Sequence, residues 1–352
     1  MRKIWCEINK KNLEDNILTI KKHIGNKKII SVLKANAYGL GVSEVSSVID
    51  KHTDMYAVSN IQEYKGLKTN KDVLIMSPLC SADDFAFATD KPNLILSIDN
   101  ENILKEINKN SKYRVHICVD TTNHRVGVSL GKLKGLIECI ETKYKNIKIE
   151  GIYTHYHNCS NIEETKEQII SFKNTVTLLQ KKDYIIHCIA SSIACNQTLL
   201  EMCSFTNACR IGNMIYGFAG NKIGIKKVYS FYAKILQRHE VKKGELIGFG
   251  ASYEKADSDI IVGIIEAGNF YGLGNIRESI ENPIMAAAKS LKHNIKGISY
   301  VKTKEDKRDV KVIGFVNMNS LILDITKTPG ESVVELSISP ILADSSISKF
   351  CV

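Results

Sequence analysis

Between Lys28 and Gly212, eight short apolar runs alternate with longer stretches in which apolar residues recur at helical spacing. The runs are Ile29–Leu33, Met55–Val58, Val73–Met76, Leu94–Ser97, Val115–Val119, Ile147–Tyr153, Ile185–Ile189 and Asn207–Ile211. Amphipathic stretches such as Ile103–Ile107 and Thr165–Leu179 lie between them and read as helices. Eight strands with helical connections predict an α/β fold, a parallel (β/α)8 TIM-type barrel. Lys34, Asp120, Thr154-His155, Ser191 and Arg210-Ile211-Gly212 fall at the C-terminal ends of these strands. Barrel enzymes keep their chemistry on that face.

After about residue 220 the pattern changes. Tyr229–Gln237, Ile260–Ile265, Val310–Val316, Leu321–Ile325 and Ser332–Ile338 read as strands, with turns at Lys243-Gly244 and Pro329-Gly330. The expected organisation is therefore a barrel over residues 9–220 and a mostly β domain over 221–352. A chain of 352 residues has room for both, since a barrel takes about 250.

Composition narrows the function classes. Hydrophobic content of 44% with 24% charged residues matches an ordinary soluble protein with a large core. No apolar run approaches the roughly 18 residues needed to cross a bilayer, and the first residues carry charge without a secretory apolar segment. The ten cysteines are scattered, with no C-x-x-C pair, so reduced core thiols and a cytoplasmic location are expected. The net charge of +10 comes from lysines spread along the chain, not from a basic stripe interleaved with aromatics, which argues against a nucleic-acid partner. His155 and His157 form a pair without an acidic cluster at ligand spacing, so no metal site is expected.

The chemistry concentrates in Ser31-Val32-Leu33-Lys34-Ala35-Asn36-Ala37-Tyr38-Gly39-Leu40-Gly41, where a buried strand delivers a lysine into a short turn. An amine in such a place is a candidate nucleophile. The segment resembles the cofactor-lysine motif VKANAYGHG of the alanine racemase family, and the resemblance runs from Trp5-Cys6-Glu7-Ile8 to about Thr326. It implies pyridoxal 5′-phosphate (PLP) carried covalently by Lys34, which is also one catalytic base. Arg210-Ile211-Gly212-Asn213-Met214-Ile215-Tyr216-Gly217 resembles the family's R-x-G-x-x-x-Y-G. That match implies Arg210 on the pyridine nitrogen, Gly212 and Asn213 N–H groups on the phosphate, and Tyr216 in the same cofactor site. Ser191 and Tyr38 fall on phosphate-binding hydroxyls, and His155 on a histidine that stacks against the cofactor ring. Arg125 matches the arginine that orients the substrate carboxylate, and Met318 matches a substrate-side methionine. The resemblance further implies that residues 1–8 join the β domain, and that the protein is a homodimer with shared active sites.

The pattern breaks at several positions. Cys118 stands where many members carry a carbamylated lysine that supports the arginine, and a thiol forms no such carbamate. In Ile247-Gly248-Phe249-Gly250-Ala251-Ser252-Tyr253, Phe249 occupies the place of the tyrosine that serves as the second base. The block Glu266–Gly272 lacks another expected tyrosine, Asn319 replaces an aspartate, and the tail has nothing like the family's S-x-R-V-P-R. Three readings follow. The first is an amino-acid racemase, most economically alanine racemase, with Tyr253 (or Tyr271, or His155 through water) as second base. The second is a one-base PLP enzyme: a retro-aldolase, a decarboxylase or an α-proton exchanger. The third is a PLP-binding, non-catalytic homologue.

Overall fold

The computed structural model describes residues 2–78, 81–89, 91–179, 183–218, 222–248, 253–275 and 300–352. It divides into two compact units, Lys10–Val228 and Met1–Asn9 with Tyr229–Val352. The first strand of the chain, β1 (Ile4–Ile8), belongs to the second of these.

In Lys10–Val228, the parallel strands are β2 (Lys28–Val32), β3 (Met55–Val58), β4 (Val73–Ile75), β5 (Leu94–Ile98) and β6 (Tyr113–Asp120). A two-residue strand β7 (Val128–Ser129) lies beside the end of β6, and β8 (Ile147–Thr154), β9 (Ile185–His187) and β10 (Ala208–Ile211) follow. Their order is β10-β2-β3-β4-β5-β6-β8-β9. The ring closes between β9 and β10 through the Ile189–Cys209 bridge, where the Arg210 N–H donates to Ile189 O at 2.8 Å. This is the expected (β/α)8 barrel. The strands read as unbroken apolar runs because both of their faces are covered: every residue of β3 and β5 is buried. Ile30, Val32, Met55, Ala57, Leu74, Ile95 and Ala208 pack together in one cluster. Outside the strands, helix Lys10–Ile24 buries Leu13, Ile17, Ile20 and Ile24 at helical spacing. Helix Ile162–Thr177 starts at Asn161, whose side chain accepts the Glu164 N–H.

Two connections differ from the sequence reading. Ile103–Ile107 is not an α-helix: Asn102–Glu106 forms a short 3-10 turn, with only Leu104 buried. One buried side chain is too little to stabilise a longer helix. The apolar run Ile185–Ile189 pairs regularly only as far as His187 before reaching β10 through the single bridge.

The second unit is an antiparallel assembly around the long strand β11 (Tyr229–Val241). One half of β11 pairs with β1 and β18 (Val333–Leu336) and the other half with β14 (Ile260–Ile265), with a register shift between Ile235 and Gln237. β17 (Leu321–Asp324) and β16 (Lys311–Ile313) extend one side and β15 (Val301–Thr303) the other. β12 (Leu246–Ile247) pairs with β13 (Glu254–Lys255), and β19 (Ser348–Cys351) lies parallel to β1. The expected strand Val310–Val316 is shorter because Gly314, at φ 72°, turns the chain and donates its N–H to Glu254 Oε1 at 2.7 Å.

Candidate active site

Lys34 follows β2 after a single residue, the buried Leu33, and opens a turn of left-handed helix. Ala35, Asn36, Ala37 and Tyr38 all have φ between 52° and 56°. Left-handed backbone costs an L-residue roughly 1–2 kcal/mol, so four in succession persist only where surroundings over-determine them. The surroundings do so here. Glu63, from helix Ile61–Lys65, accepts the Ala35 N–H at 2.7 Å and the Ser59 N–H at 2.7 Å. Asn36 Oδ1 accepts the N–H of Val42, the first residue of helix Val42–Ile49. Gly39 continues at φ 84°, and Ala37 is fully buried.

This turn sets the Tyr38 ring against β10. The ring lies 4.8 Å from that of Tyr216, and Lys34 Nζ stands 5.8 Å from its centroid. A Cβ on Gly212 would collide with Tyr38 Oη, so only glycine admits the hydroxyl there. Ser191 Oγ accepts the N–H groups of Gly212 and Met214, both at 3.3 Å. Among the described residues, the Asn213 N–H between them has no protein acceptor. Of the two N–H groups expected to face an anion, the Gly212 group is thus engaged by serine. The buried Tyr216 contributes a wall, because its hydroxyl donates to Val32 O at 2.7 Å.

Arg210 is only 5% exposed and points along the barrel interior without a carboxylate partner among the described residues. It donates to His187 Nδ1 at 2.8 Å, to His187 O at 3.2 Å and to Thr154 O at 2.9 Å. An arginine only donates, which fixes both neighbouring histidines. His187 Nδ1 must accept, so its Nε2 carries the proton and donates to His116 Nδ1 at 2.9 Å. The proton of His116 then sits on Nε2, a buried atom with no partner among the described residues, against which Gly151 packs so closely that a Cβ would come within 2.7 Å. Burial pushes His116 down to about 3 against the opposing charge of Glu150, and burial with the charge of Arg210 pushes His187 well below its ordinary value, so both rings are neutral. Neither histidine was singled out in the sequence. They lie on β6 and β9, and only barrel closure brings them to Arg210.

At the barrel mouth His155 is exposed at the end of β8. Desolvation by the barrel around it, tempered by this exposure, and then the charges of Arg210, Arg125 and Lys34 lower its pKa. His157 is satisfied between Glu164 at 2.9 Å and Gln168 at 3.1 Å, and no metal-binding group of side chains occurs among the described residues. Arg125 is exposed on the loop after β6, where Thr122 (φ 81°) and His124 (φ 52°) are also left-handed. The Cys118 thiol below it is buried, and desolvation pushes it up to about 11. It is a neutral thiol, not an anionic support.

Tyr253 and Met318 belong to the β unit and are 58% and 73% exposed. Phe249 lies outside the described residues.

Residues 8–220 match the family described as "Alanine racemase, N-terminal domain". The chain is 31% identical over 270 residues to an alanine racemase of Fusobacterium nucleatum, covering 73% of this chain and 74% of that protein. Its fold is shared with an alanine racemase from E. faecalis (TM-score 0.82, 19% identity, 100% and 98% coverage). It is shared equally with a histidine racemase from Leuconostoc mesenteroides subsp. sake (TM-score 0.82, 18% identity, 100% and 98% coverage).

Proposed function

Because this chain belongs to the alanine racemase family, we propose that it interconverts the L and D forms of a small amino acid, alanine first, with PLP held on Lys34. The observation that supports this reading is the left-handed turn, which joins the candidate cofactor lysine just after β2 to an anion cradle just after β10. A dianionic phosphate asks for hydroxyl groups, open N–H groups and close backbone approach. Tyr38 Oη, Ser191 Oγ, the Asn213 N–H and the bare Cα of Gly212 meet that demand, so the residues fit the group.

When bound, PLP supplies an electron sink that stabilises negative charge at the substrate α-carbon. The remaining work falls to side chains. Lys34 Nζ takes and returns the α-proton on one face. Arg210, which keeps its proton, would donate to the pyridine nitrogen and so leave it without a proton of its own. That weakens the sink and favours return of the proton to the α-carbon. Arg125 would take the substrate carboxylate, and His155 would hold the cofactor ring from the barrel mouth.

For the opposite face we assign Tyr253 of the partner subunit, in a homodimer whose active sites are shared, with Met318 on the substrate side. Phe270, Phe315 and Met318 are 59%, 69% and 73% exposed on the β unit, and apolar exposure of that kind supports burial against a second copy. We place the protein in the cytoplasm. Cys188 and Cys203 approach at 3.6 Å as hydrogen-bonded thiols, which suits a reducing compartment. No described helix is long and apolar enough to cross a membrane.

A one-base reaction is favoured by one observation: the neutral His155 is an open proton acceptor at the mouth, while Phe249 has no proton to move. Incubating PLP-loaded protein with single L-amino acids in D2O separates the readings. Racemisation gives α-deuteration with loss of optical activity. Deuteration with retention, or release of an aldehyde or carbon dioxide, would replace it with a one-base enzyme.

A further inference from the structure

The loop from Thr121 to Gly127 carries Arg125 and returns at once to the strand it left, since Val128 pairs with Val119 and Ser129 with Asp120. Gly127, at φ 120°, closes it tightly: a Cβ there would lie 2.5 Å from the Asp120 N and 2.7 Å from the Val119 carbonyl carbon. Two side chains hold the outgoing arm. Asp120 Oδ1 accepts the N–H of Asn123 at 2.7 Å and of His124 at 3.1 Å. Gln168 donates to Thr121 O at 2.7 Å and Thr122 Oγ1 at 2.8 Å. The returning arm, which bears Arg125, is reached from just past the end of β5 by Asp99, whose Oδ2 accepts the Gly127 N–H at 3.1 Å. The other oxygen of Asp99 accepts from Asn100 Nδ2 at 2.6 Å, which fixes the orientation of the carboxylate. Cys118, directly below on β6, supplies neither a carbamate nor an anion to hold the guanidinium itself.

We propose that Asp99 is the positioning residue for Arg125, holding the arginine through the backbone of its loop where this chain lacks a lysine carbamate at position 118. The inference rests on the reading of Arg125 as the group that takes the substrate carboxylate. Asp99 does not touch substrate. It acts through the Gly127 amide, two residues beyond Arg125, and through the left-handed residues that this closure keeps in place. What the task needs is an acceptor oxygen at this position, which the carboxylate supplies to the Gly127 N–H. Asp120, the last residue of β6, is equally anchored to the barrel but reaches only the Asn123 and His124 N–H groups, whereas Asp99, one residue past β5, is the carboxylate that reaches the arm returning from Arg125.

The test uses the PLP-loaded full-length protein with Asp99→Ala, Asp99→Asn and Arg125→Ala. Deuterium exchange over residues 121–127 and the affinity for propionate (a carboxylate without the reacting amine) are the readouts, together with KM and kcat for the amino acid. Asp99→Ala should speed exchange in this loop and weaken propionate about tenfold. KM should rise with kcat within about threefold of wild type, because uniform binding is what is lost. Asp99→Asn, whose amide oxygen still accepts the Gly127 N–H, should restore both exchange and affinity to within about threefold. Unchanged exchange in Asp99→Ala overturns the proposal, as does an equal loss in Asp99→Asn, which would make charge the cause. If Arg125→Ala leaves propionate binding unaltered, the reading of Arg125 falls instead, independently of the exchange result.

Discussion

Replacing Ala35 by glycine should stabilise this protein, contrary to the ordinary effect of glycine in a helical turn. Ala35 is exposed and its methyl group packs into no core, so the substitution removes no buried contact. At φ 52°, ψ 49° the alanine backbone is strained by roughly 1–2 kcal/mol, which glycine does not suffer. Against that relief stands the greater freedom of glycine in the unfolded chain, about 0.4–1 kcal/mol. The difference is a gain of about 0.5–1 kcal/mol, or a rise of roughly 2 °C in melting temperature. In a right-handed turn the same substitution costs about 1 kcal/mol, so the sign alone discriminates. Urea unfolding of Ala35→Gly beside Ala35→Val reads it directly. The valine variant should lose stability, because a branched side chain tolerates positive φ least. Ala37→Gly is the internal comparison: it relieves similar strain but removes a fully buried methyl, so its gain should be smaller. Destabilisation by Ala35→Gly together with a neutral Ala35→Val would refute the left-handed turn on which the geometry of Lys34 depends.

Gly212→Ala should lower PLP affinity at least about tenfold while changing stability little, because the new methyl meets the mobile end of Tyr38 and drives the ring from its place beside Tyr216. Cofactor titration with thermal melting checks it, and unaltered affinity would remove Tyr38 and Gly212 from the cradle. Stability should fall by roughly 3 kcal/mol between pH 6.5 and 5.0 from His116 and His187 together. Both have folded pKa values below their unfolded ones, so the unfolded chain takes up protons that the native barrel refuses; their contribution is complete above the unfolded pKa and is lost as pH falls. Equal stability at the two pH values would contradict neutral buried rings. Tyr253→Phe should lower alanine racemisation at least about tenfold, below the hundredfold or more typical of a positioned acid–base group. An unchanged rate would mean that another group serves as the second base.

The barrel was readable because buried parallel strands need continuous apolar runs, and those runs survive at Met55–Val58 and Leu94–Ile98 almost residue for residue. The shorter edge elements were not. β19, Ser-Lys-Phe-Cys, has half-exposed positions and no periodicity, and it becomes a strand only because β1 offers it an edge. Lys34, Tyr38, Ser191 and Gly212 could be named in advance from local motifs, and the structure sets Tyr38 against Gly212, with Ser191 on the same backbone. What stayed hidden was the support. Glu63 reaches Ala35 across 28 positions, His116 reaches His187 across 71, and Asp99 reaches Gly127 across 28. Such partners carry no local signature. Each is an ordinary polar residue whose role exists only once the strands are placed side by side.

Borohydride reduction of the PLP-loaded protein, followed by peptide mapping, tests the central claim most directly. The account predicts visible absorbance before reduction and a single pyridoxyl label afterwards, on Lys34, which is absent from Lys34→Ala. A Lys34→Ala protein that carries the same reducible label on another lysine would contradict it.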